Sequence, residues 1–319
     1  MSIISTDIQK AKALLSADKL VAIPTETVYG LAGNIYSEKA IKAIFETKQR
    51  PLFNPLIVHI ASIKNIDTIV SYVPEKAKQL ASVFWPGSLT LVLPKSDTIP
   101  DIITAGKPTV AVRVPNHPLT LKLLKQLEFP LAAPSANPFN RISPTTAAHV
   151  EGYFKDKIEM ILDGGACKNG IESTIVGFEH DEPIIYRLGS IAIEDIKAVI
   201  GEISVKNKKE HNPEAPGMLD KHYAPITRTV LSTNISEDIK KYPNMRIGII
   251  EFTSHSQSNV VKHQITLSNR GDLAEATSKL YGALHRLDNS DLDIIIVEIF
   301  PDTGLGKSIN DRLSRAKTK

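Results

Sequence analysis

The chain has 319 residues, 42% of them hydrophobic, and carries a formal charge of +3 at pH 7. This length is enough for two globular domains of roughly 100 to 200 residues each. The charge is too nearly balanced to indicate nucleic-acid binding by bulk electrostatics, so an anion site would have to be local. The single cysteine, Cys167, excludes an intrachain disulfide and a zinc cluster built from cysteines.

The hydrophobic segments of the chain are short. The longest, such as 20–23 and 294–297, are the size of strands and far below the roughly 20 residues that a membrane span needs. The first 19 residues include Asp7, Lys10 and Lys12, so they lack the continuous apolar core of a secretory signal. A cytoplasmic protein without a membrane segment is expected, in keeping with a reducing compartment.

Up to about Gly201, short β-rich runs alternate with stretches of helical periodicity. The predicted strands are 20–23, 56–60, 89–93, 110–114, 131–133, 160–162, 174–177 and 184–186. The predicted helices are 8–15, 38–48, 77–84, 119–127 and 193–200. This alternation predicts an α/β domain with a large twisted sheet, whose strand order the sequence does not give.

The pattern breaks between 205 and 227, where charged residues and prolines replace it. A linker longer than about a dozen residues in a compact protein is usually functional or disordered. From composition alone, a functional segment and a solvated tether are equally good interpretations. Beyond it, strands at 229–231, 247–252 and 292–300 alternate with helices at 235–241, 273–287 and 309–315. The predicted organisation is therefore a first domain over 1–205, a linker over 206–227, and a smaller α/β domain with a parallel sheet over 228–319.

Two cations, Lys48 and Arg50, stand at the end of a predicted helix. Cations there complement the negative end of the helix dipole whether or not a ligand binds. However, Arg50 precedes Pro51, which favours an extended conformation and lets the side chain diverge from the helix axis. In a cleft, a guanidinium binds phosphate through two hydrogen bonds, and an ammonium supplies a point charge.

Ser135 and Asn137 lie in a segment between Pro134 and Pro138. If this segment is extended, alternation places both side chains on the same side, where they offer a donor and an acceptor to one ligand. An ordinary turn explains these residues equally well, because serine, asparagine and proline are all common in turns.

His59 and Arg113 each lie inside an apolar predicted strand. For the histidine alone, a place in the core is the simpler interpretation. An arginine in such a strand is rarely buried without a partner, so a carboxylate of the protein or of a substrate is expected beside Arg113. The carboxylate of an amino acid would fit.

Two further segments are ambiguous. Glu172-Ser173-Thr174 opens a predicted strand after a glycine turn, so its hydroxyls either line a cleft or simply begin the strand. Arg187 follows a predicted strand and is, by itself, most simply a surface charge.

Gly304-Leu305-Gly306-Lys307-Ser308 imitates the end of a phosphate-binding loop, but the first glycine of that motif would fall on Pro301. The chain also lacks a dinucleotide fingerprint, a zinc-protease spacing and a nucleophile elbow.

Several motifs follow one another in a recognisable order. They are Pro24-Thr25-Glu26-Thr27-Val28-Tyr29-Gly30-Leu31, Lys48-x-Arg50-Pro51 with Asn54-Pro55-Leu56, Trp85-Pro86-Gly87, Ala133-Pro134-Ser135-Ala136-Asn137, Glu172-Ser173-Thr174, Ala215-Pro216-Gly217-Met218 and Lys221-His222-Tyr223-Ala224-Pro225. Together they strongly resemble the YrdC-like threonylcarbamoyl-AMP synthases, and the last two resemble the linker of the long, two-domain form. The resemblance spans nearly the whole chain.

The resemblance implies an α/β protein in which a YrdC-like twisted-sheet domain with a basic concave cleft precedes a smaller Rossmann-like domain. It implies a nucleotidyltransferase that makes threonylcarbamoyl-AMP and pyrophosphate from ATP, L-threonine and bicarbonate. This reaction is the first half of making threonylcarbamoyl-adenosine in tRNA. A separate transferase would pass the group to tRNA, which this protein itself would bind at most weakly.

The resemblance also implies roles for individual residues. Threonine would be held by Thr25, His59, Arg113, Ala133 and Ser173, with Arg113 on its carboxylate. ATP would be held by Lys48, Arg50, Asn54, Thr109, Ser135, Asn137, Ser143, Arg187, His222 and Tyr223. Lys48 and Arg50 would be the catalytic pair, Mg²⁺ would lie on the ATP phosphates without an assigned protein ligand, and the linker would close as a lid that excludes water.

Two positions depart from the family pattern. Arg187-Leu188-Gly189 stands where Arg-Pro-Gly is common, and Leu219-Asp220 stands where Lys-Tyr is common before the Lys-His-Tyr of the linker. These departures affect the implied contacts of Arg187 and of the lid.

Two other functions remain open from the sequence. A non-catalytic module that binds double-stranded RNA or tRNA would have little reason to carry Arg113 in an apolar strand, and its RNA affinity should depend steeply on salt. A carbamoyltransferase-like domain that uses carbamoyl phosphate would share the cleft but should not depend on threonine.

Overall fold

The fold is that of a computed structural model, which describes residues 2–206, 223–253 and 260–317. In chain order the strands are β1 (Ile3–Ser5), β2 (Val21–Ile23), β3 (Gly30–Asn34), β4 (Ile57–His59), β5 (Leu89–Pro94), β6 (Thr109–Arg113), β7 (Leu131–Ala132), β8 (Met160–Leu162), β9 (Thr174–Glu179), β10 (Glu182–Arg187), β11 (Ser204–Val205), β12 (Arg228–Ser232), β13 (Ile247–Glu251), β14 (Val261–Thr266) and β15 (Ile294–Glu298). The α-helices are α1 (Ile8–Ser16), α2 (Glu38–Lys48), α3 (Glu75–Phe84), α4 (Asp101–Thr104), α5 (Pro118–Leu124), α6 (Ala147–Phe154), α7 (Ile193–Ile200), α8 (Ile235–Ile239), α9 (Leu273–Asp288) and α10 (Leu305–Ala316).

The first eleven strands form one mixed sheet in the order β1-β8-β2-β3-β7-β4-β6-β5-β9-β10-β11. Both of its faces are covered, as the alternation along β2 illustrates. Ala22 packs into one apolar cluster with residues of α2 and α3, whereas Val21 and Ile23 pack into another with residues of α1 and α5. The YrdC-like twisted sheet that the resemblance implies is thus an extended mixed sheet between helical layers.

Helix α2 places the two cations of the Lys48-x-Arg50 motif. Ser37 caps its beginning by accepting a hydrogen bond from the backbone N–H of Ala40. Ile41 and Ile44 are buried on one face of the helix, and Gln49 ends it in a left-handed conformation with φ of 53°. The chain then turns away from the helix axis before Pro51.

The last four strands form a separate sheet in the order β12-β15-β13-β14, and every pair in it is parallel. This confirms the parallel sheet predicted for the C-terminal part. Helices α9 and α10 pack on one face and α8 on the other. Val28, Ile142 and Ile171 of the first part join the apolar cluster of α9 and α10, so the two parts share buried surface.

All the strands and helices predicted from the sequence are present, with small differences at their ends. The largest difference is at α10, which begins at Leu305 rather than at residue 309. Sequence patterns missed β1, β3, β11, β14, α4 and α6. Strand β3, for example, has two glycines in five residues, and pairing with β2 and β7 holds it in place rather than its own propensity.

The predicted linker falls mostly on residues 207–222, which lie outside the described residues. The predicted lid and the predicted contact of His222 therefore lie there too. The domain bounds 1–205 and 228–319 remain predictions. Across the described ranges, no helix combines the length and hydropathy needed to cross a membrane.

Candidate active site

A cleft opens beside the ends of β4 and β6 and the start of β9. Its lining consists of Thr25, Thr27, Val28, Gly30, Arg50, Ile57, His59, Arg113, Ala133, Pro134, Ser135, Glu172, Ser173, Arg187 and Tyr223. The lining thus gathers all five residues predicted to hold threonine and four of those predicted to hold ATP.

Arg113 and His59 meet because β4 and β6 are parallel neighbours in which these two residues are directly paired. Nη2 of Arg113 lies 2.5 Å from Oε1 of Glu26, and its Nη1 donates to the Thr27 hydroxyl at 3.0 Å. The carboxylate expected beside Arg113 is therefore supplied by the protein. The guanidinium of Arg113 carries five N–H groups. Three of them donate to Glu26, to Thr27 and to the Gly87 carbonyl, and these hydrogen bonds fix the direction of the other two.

His59 is an uncharged member of the lining. It is 3% exposed, and its Nδ1 lies 3.2 Å from the carbonyl oxygen of Ile57. Burial, and then the nearby charge of Arg113, lower its pKa from 6.5 to about 3. At neutral pH the ring therefore offers hydrogen bonding and shape but no charge.

Arg50 lines the cleft, as the extended conformation before Pro51 predicted. Its Nε donates to the carbonyl of Asn54 at 3.2 Å and its Nη2 to that of Pro55 at 2.8 Å. Burial lowers its pKa from 12.5 to about 9, so the guanidinium is still charged at neutral pH. These contacts fix one edge of the guanidinium, whereas its Nη1 makes no contact among them.

Lys48 does not line the cleft but supports it from behind. Its ammonium group donates to the backbone carbonyls of Ser135 and Asn137, and the side chain is 1% exposed. Burial, and then the charge of Arg50, hold its pKa well below the usual value for lysine. In this conformation Lys48 fixes the backbone that carries Ser135.

The segment from Ser135 to Asn137 bends instead of running extended. The backbone N–H of Asn137 donates to the carbonyl of Ser135 at 3.0 Å, and the amide of Asn137 donates to the carbonyls of Pro138 and Arg141. Of the two interpretations that the sequence left open, the turn is therefore the correct one. Only Ser135 of the two lines the cleft, because the turn buries Asn137 behind it.

Ser173 and Arg187 meet where strands β9 and β10 pair. Nη2 of Arg187 donates to the Ser173 hydroxyl at 3.0 Å and to its carbonyl at 2.9 Å. Arg187 is 4% exposed, so the simplest interpretation of it as a surface charge was wrong. Gly189 follows closely, and a Cβ there would lie 2.3 Å from the backbone nitrogen of Thr174, which explains the glycine.

The remaining predicted residues lie away from the cleft lining. Neither polar atom of the Asn54 side-chain amide has a hydrogen-bond partner among the described residues, and Asn54 is fully buried. Ser143 donates its hydroxyl to Glu172 at 2.6 Å. Thr109 begins β6, about 13 Å along the strand from Arg113, since each residue of a strand advances by roughly 3.3 Å.

Sequence patterns assigned no role to several residues that complete this site. Glu26 holds Arg113, while Tyr281 and Arg312 of the C-terminal part hold Glu172. The quoted motifs contained Glu26 and Glu172, and a carboxylate was expected beside Arg113, but the sequence did not show that Glu26 supplies it. A charged residue on the apolar face of an amphipathic helix was the available signal for Arg312.

The lining is rich in positive charge and hydroxyl groups. It includes three arginines and one glutamate, together with threonine and serine hydroxyls. Arg50, Arg113 and Arg187 provide three cationic positions in the lining. Such a cleft can bind a small carboxylate and a polyphosphate together.

Comparison with known proteins identifies the family. A family model described as telomere recombination, for Sua5, YciO and YrdC, matches residues 13–189. A second model, described as the C-terminal domain of threonylcarbamoyl-AMP synthase, matches residues 191–318. The threonylcarbamoyl-AMP synthase of Pyrococcus abyssi is 41% identical over 97% of this chain and 93% of that protein. The chain belongs to the threonylcarbamoyl-AMP synthase family.

Other members of the threonylcarbamoyl-AMP synthase family agree in length and fold. The synthase of Bacillus subtilis is 42% identical over 97% of this chain and 92% of its own length. The crystal structure of Pyrococcus abyssi Sua5, complexed with L-threonine, superimposes with a TM-score of 0.92 and 38% identity. That alignment covers 100% of both chains, so both domains of the two-domain family form are present here.

Proposed function

We propose that this protein makes threonylcarbamoyl-AMP and pyrophosphate from ATP, L-threonine and bicarbonate, for the modification of tRNA. The observation that carries the proposal is the joining of Arg113 with Arg50 and Arg187 in one cleft. The cleft thereby offers one cation for an amino-acid carboxylate and two for phosphates. Membership of the threonylcarbamoyl-AMP synthase family supplies the reaction that uses both.

Threonine is proposed to bind between β4, β6 and β9. Arg113 would take its carboxylate, and the hydroxyls of Thr25 and Ser173 are within the same lining. His59 and Ala133 would complete the pocket around the side chain. The related Pyrococcus abyssi structure, which contains L-threonine, supports this proposal.

ATP is proposed to bind beside threonine in the same cleft. The cleft-lining residues proposed to hold it are Arg50, Ser135, Arg187 and Tyr223. Lys48, Asn137 and Ser143 are proposed to act there from behind the lining, and the unsatisfied amide of Asn54 favours a polar ligand beside it. Thr109 and His222 remain predicted contacts on the basis of family resemblance alone.

The chemistry requires alignment and charge neutralisation. The threonine amine adds to bicarbonate-derived carbon dioxide, and an oxygen of the resulting carbamate attacks the α-phosphorus while pyrophosphate leaves. No protein nucleophile is needed, so fixed cations and positioning would supply most of the acceleration. Arg50 would act on the phosphates directly, whereas Lys48 would act through the backbone that it holds.

We propose that Mg²⁺ arrives with ATP, bound to its phosphates. In the part of the chain that the structure describes, no group of three His, Cys, Asp or Glu side chains is placed to hold a metal ion. Phosphate oxygens are the donors that Mg²⁺ prefers in sites of this kind. Its charge would add to that of the arginines around the transferring group.

We further propose a cytoplasmic location, in which a separate transferase takes the acyl-adenylate and passes its threonylcarbamoyl group to tRNA. The formal charge of +3 favours at most weak binding of tRNA by this protein itself. The reactive product favours prompt delivery to that transferase.

The test is to incubate the purified protein with ATP, Mg²⁺, bicarbonate and L-threonine, measuring pyrophosphate release and detecting the acyl-adenylate by mass spectrometry. Release that requires both threonine and bicarbonate is expected. Release without threonine, or none at all alongside tight and salt-sensitive RNA binding, would contradict the proposal.

A further inference from the structure

A buried arginine of the last helix reaches the wall of the cleft. Arg312 on α10 is 1% exposed, and its Nε lies 2.7 Å from Oε2 of Glu172. Its Nη2 donates to the carbonyl of Leu188 at 2.6 Å. Its guanidinium carbon lies 4.8 Å from the centre of the Tyr223 ring. One side chain of the C-terminal part thus contacts two residues that line the cleft, Glu172 and Tyr223.

Glu172 is one of two carboxylates that this arginine neutralises. The other is Asp311, whose Oδ2 lies 2.7 Å from Nη1 of Arg312 and which also pairs with Arg315. Glu172 also accepts hydrogen bonds from the hydroxyl of Tyr281 on α9, at 3.0 Å, and from that of Ser143, at 2.6 Å. Burial raises its pKa, but the charges of Arg312 and Arg187 outweigh burial, so the pKa of Glu172 lies below its usual value. The carboxylate therefore stays charged at neutral pH.

A charged carboxylate at this place is unfavourable for a polyphosphate unless a cation compensates it. Glu172 lines the same cleft as Arg50 and Arg187, which are proposed to bind ATP. Removing one partner of a buried ion pair leaves an uncompensated charge, which is strongly unfavourable. Without Arg312, that charge would face the nucleotide.

We propose that Arg312 is a positioning residue for the nucleotide end of the cleft, through which the C-terminal domain completes the ATP site of the first domain. It does so by neutralising Glu172 and by holding the Tyr223 ring. This inference rests on the proposed function, because it takes ATP as the ligand of that end. Arg113 and His59, proposed to hold threonine, have no contact with Arg312 among its hydrogen bonds and ion pairs.

The test compares the wild type with Arg312→Met in two measurements, steady-state pyrophosphate release and equilibrium titration with ATP. We expect the KM and Kd for ATP to rise by about tenfold or more, while the KM for threonine changes by less than about twofold. Arg312→Lys should not restore ATP affinity, because an ammonium group cannot bind Glu172 and the Leu188 carbonyl in the planar geometry of a guanidinium.

A double variant, Glu172→Gln with Arg312→Met, separates charge from packing. It removes the uncompensated carboxylate, so we expect it to fold even if the single variant does not, and to bind ATP about threefold more tightly than Arg312→Met. Lys307→Met is the control on the same helix. It breaks the partly exposed ion pair with Glu194, also between the two parts, and should leave the KM for ATP within about twofold of the wild type.

Equal rises in the KM for ATP and threonine would overturn the inference, since they would indicate general loosening. So would a lower melting temperature with unchanged ATP affinity, or a double variant that binds ATP no more tightly than Arg312→Met.

Failure of the proposed function has a different signature. The wild type would then bind ATP without releasing pyrophosphate in a threonine-dependent way, and the ATP titrations would still decide the role of Arg312. A wild type that binds no ATP would overturn both.

Discussion

Arg113, which lines the cleft, and Glu26 form a buried ion pair in which Nη2 of the arginine lies 2.5 Å from Oε1 of the glutamate. Their side chains are 5% and 7% exposed. The backbone N–H of Asn116 donates to the second carboxylate oxygen at 2.9 Å, and the Gly87 carbonyl accepts from Nε of Arg113 at 3.1 Å. Glu26 thus orients the arginine that is proposed to receive the substrate carboxylate.

Replacing Glu26 by alanine should destabilise the protein and increase its response to threonine. The free energy of unfolding should fall by about 3 kcal/mol, because Arg113 would be left buried without its carboxylate. Saturating L-threonine should then raise the melting temperature of Glu26→Ala more than that of the wild type, since the substrate carboxylate replaces the missing charge. Denaturant unfolding and melting curves with and without threonine measure both effects.

A matched control for this variant is Glu182→Ala, which removes the exposed partner of Lys76. Its melting temperature should barely change, because exposed ion pairs contribute little. An equal threonine response in Glu26→Ala and the wild type would argue against Arg113 as the carboxylate site.

Replacing Arg50 by alanine should abolish product formation while the protein still unfolds cooperatively. Its guanidinium lines the cleft and is the proposed contact of the transferring phosphates, so pyrophosphate release should fall by about a hundredfold or more. Lys42→Ala, on the exposed face of the same helix, should retain full turnover. Unchanged turnover in Arg50→Ala would remove Arg50 from the site.

Replacing Asn54 by alanine should stabilise the free protein and weaken ATP binding. Its side-chain amide is fully buried without a hydrogen-bond partner among the described residues, and such a group costs about 1 to 3 kcal/mol. Removing it should raise the melting temperature in the absence of ligand, while the Kd for ATP rises. A variant that is less stable and binds ATP normally would show that Asn54 is only a packing residue.

The stability of the protein should fall as the pH drops from about 6.5 to about 3, partly because of His59. Its pKa is about 3 in the folded protein, lowered from 6.5 by burial. Between these values the unfolded chain binds a proton that the folded chain does not, so His59 contributes up to about 1.4 kcal/mol of lost stability per pH unit. Above pH 6.5 neither the folded nor the unfolded chain binds this proton, so no stability is lost through His59.

The measurement is the free energy of unfolding against pH for the wild type and His59→Gln. The variant should show a shallower decline in this window, although the His285 imidazole, whose pKa burial also lowers to about 3, still contributes. His180→Asn, which changes an exposed histidine, should follow the wild-type curve. Identical slopes in the wild type and His59→Gln would contradict the lowered pKa.

The local sequence pattern was sufficient to predict an element where neighbouring residues decide its conformation. Helix α2 was predicted with its observed bounds, since Ser37 caps it and its apolar residues follow the helical period. The bend from Ser135 to Asn137 was left open between two interpretations. It is decided by the buried ammonium of Lys48, which lies 87 residues from Ser135 in the sequence.

The sequence by itself determined the α/β class, the parallel C-terminal sheet and the motifs that contribute to the cleft, because propensity, periodicity and motif spacing are local. Only the tertiary structure decided which charges are paired. Glu26 meets Arg113 across 87 residues, and Glu172 meets Arg312 across 140. Arg312, which the sequence placed only in the helix predicted over 309–315, is buried in the fold. The physical reason is that a buried charge requires a partner, and the packing of distant elements alone determines which residue supplies it.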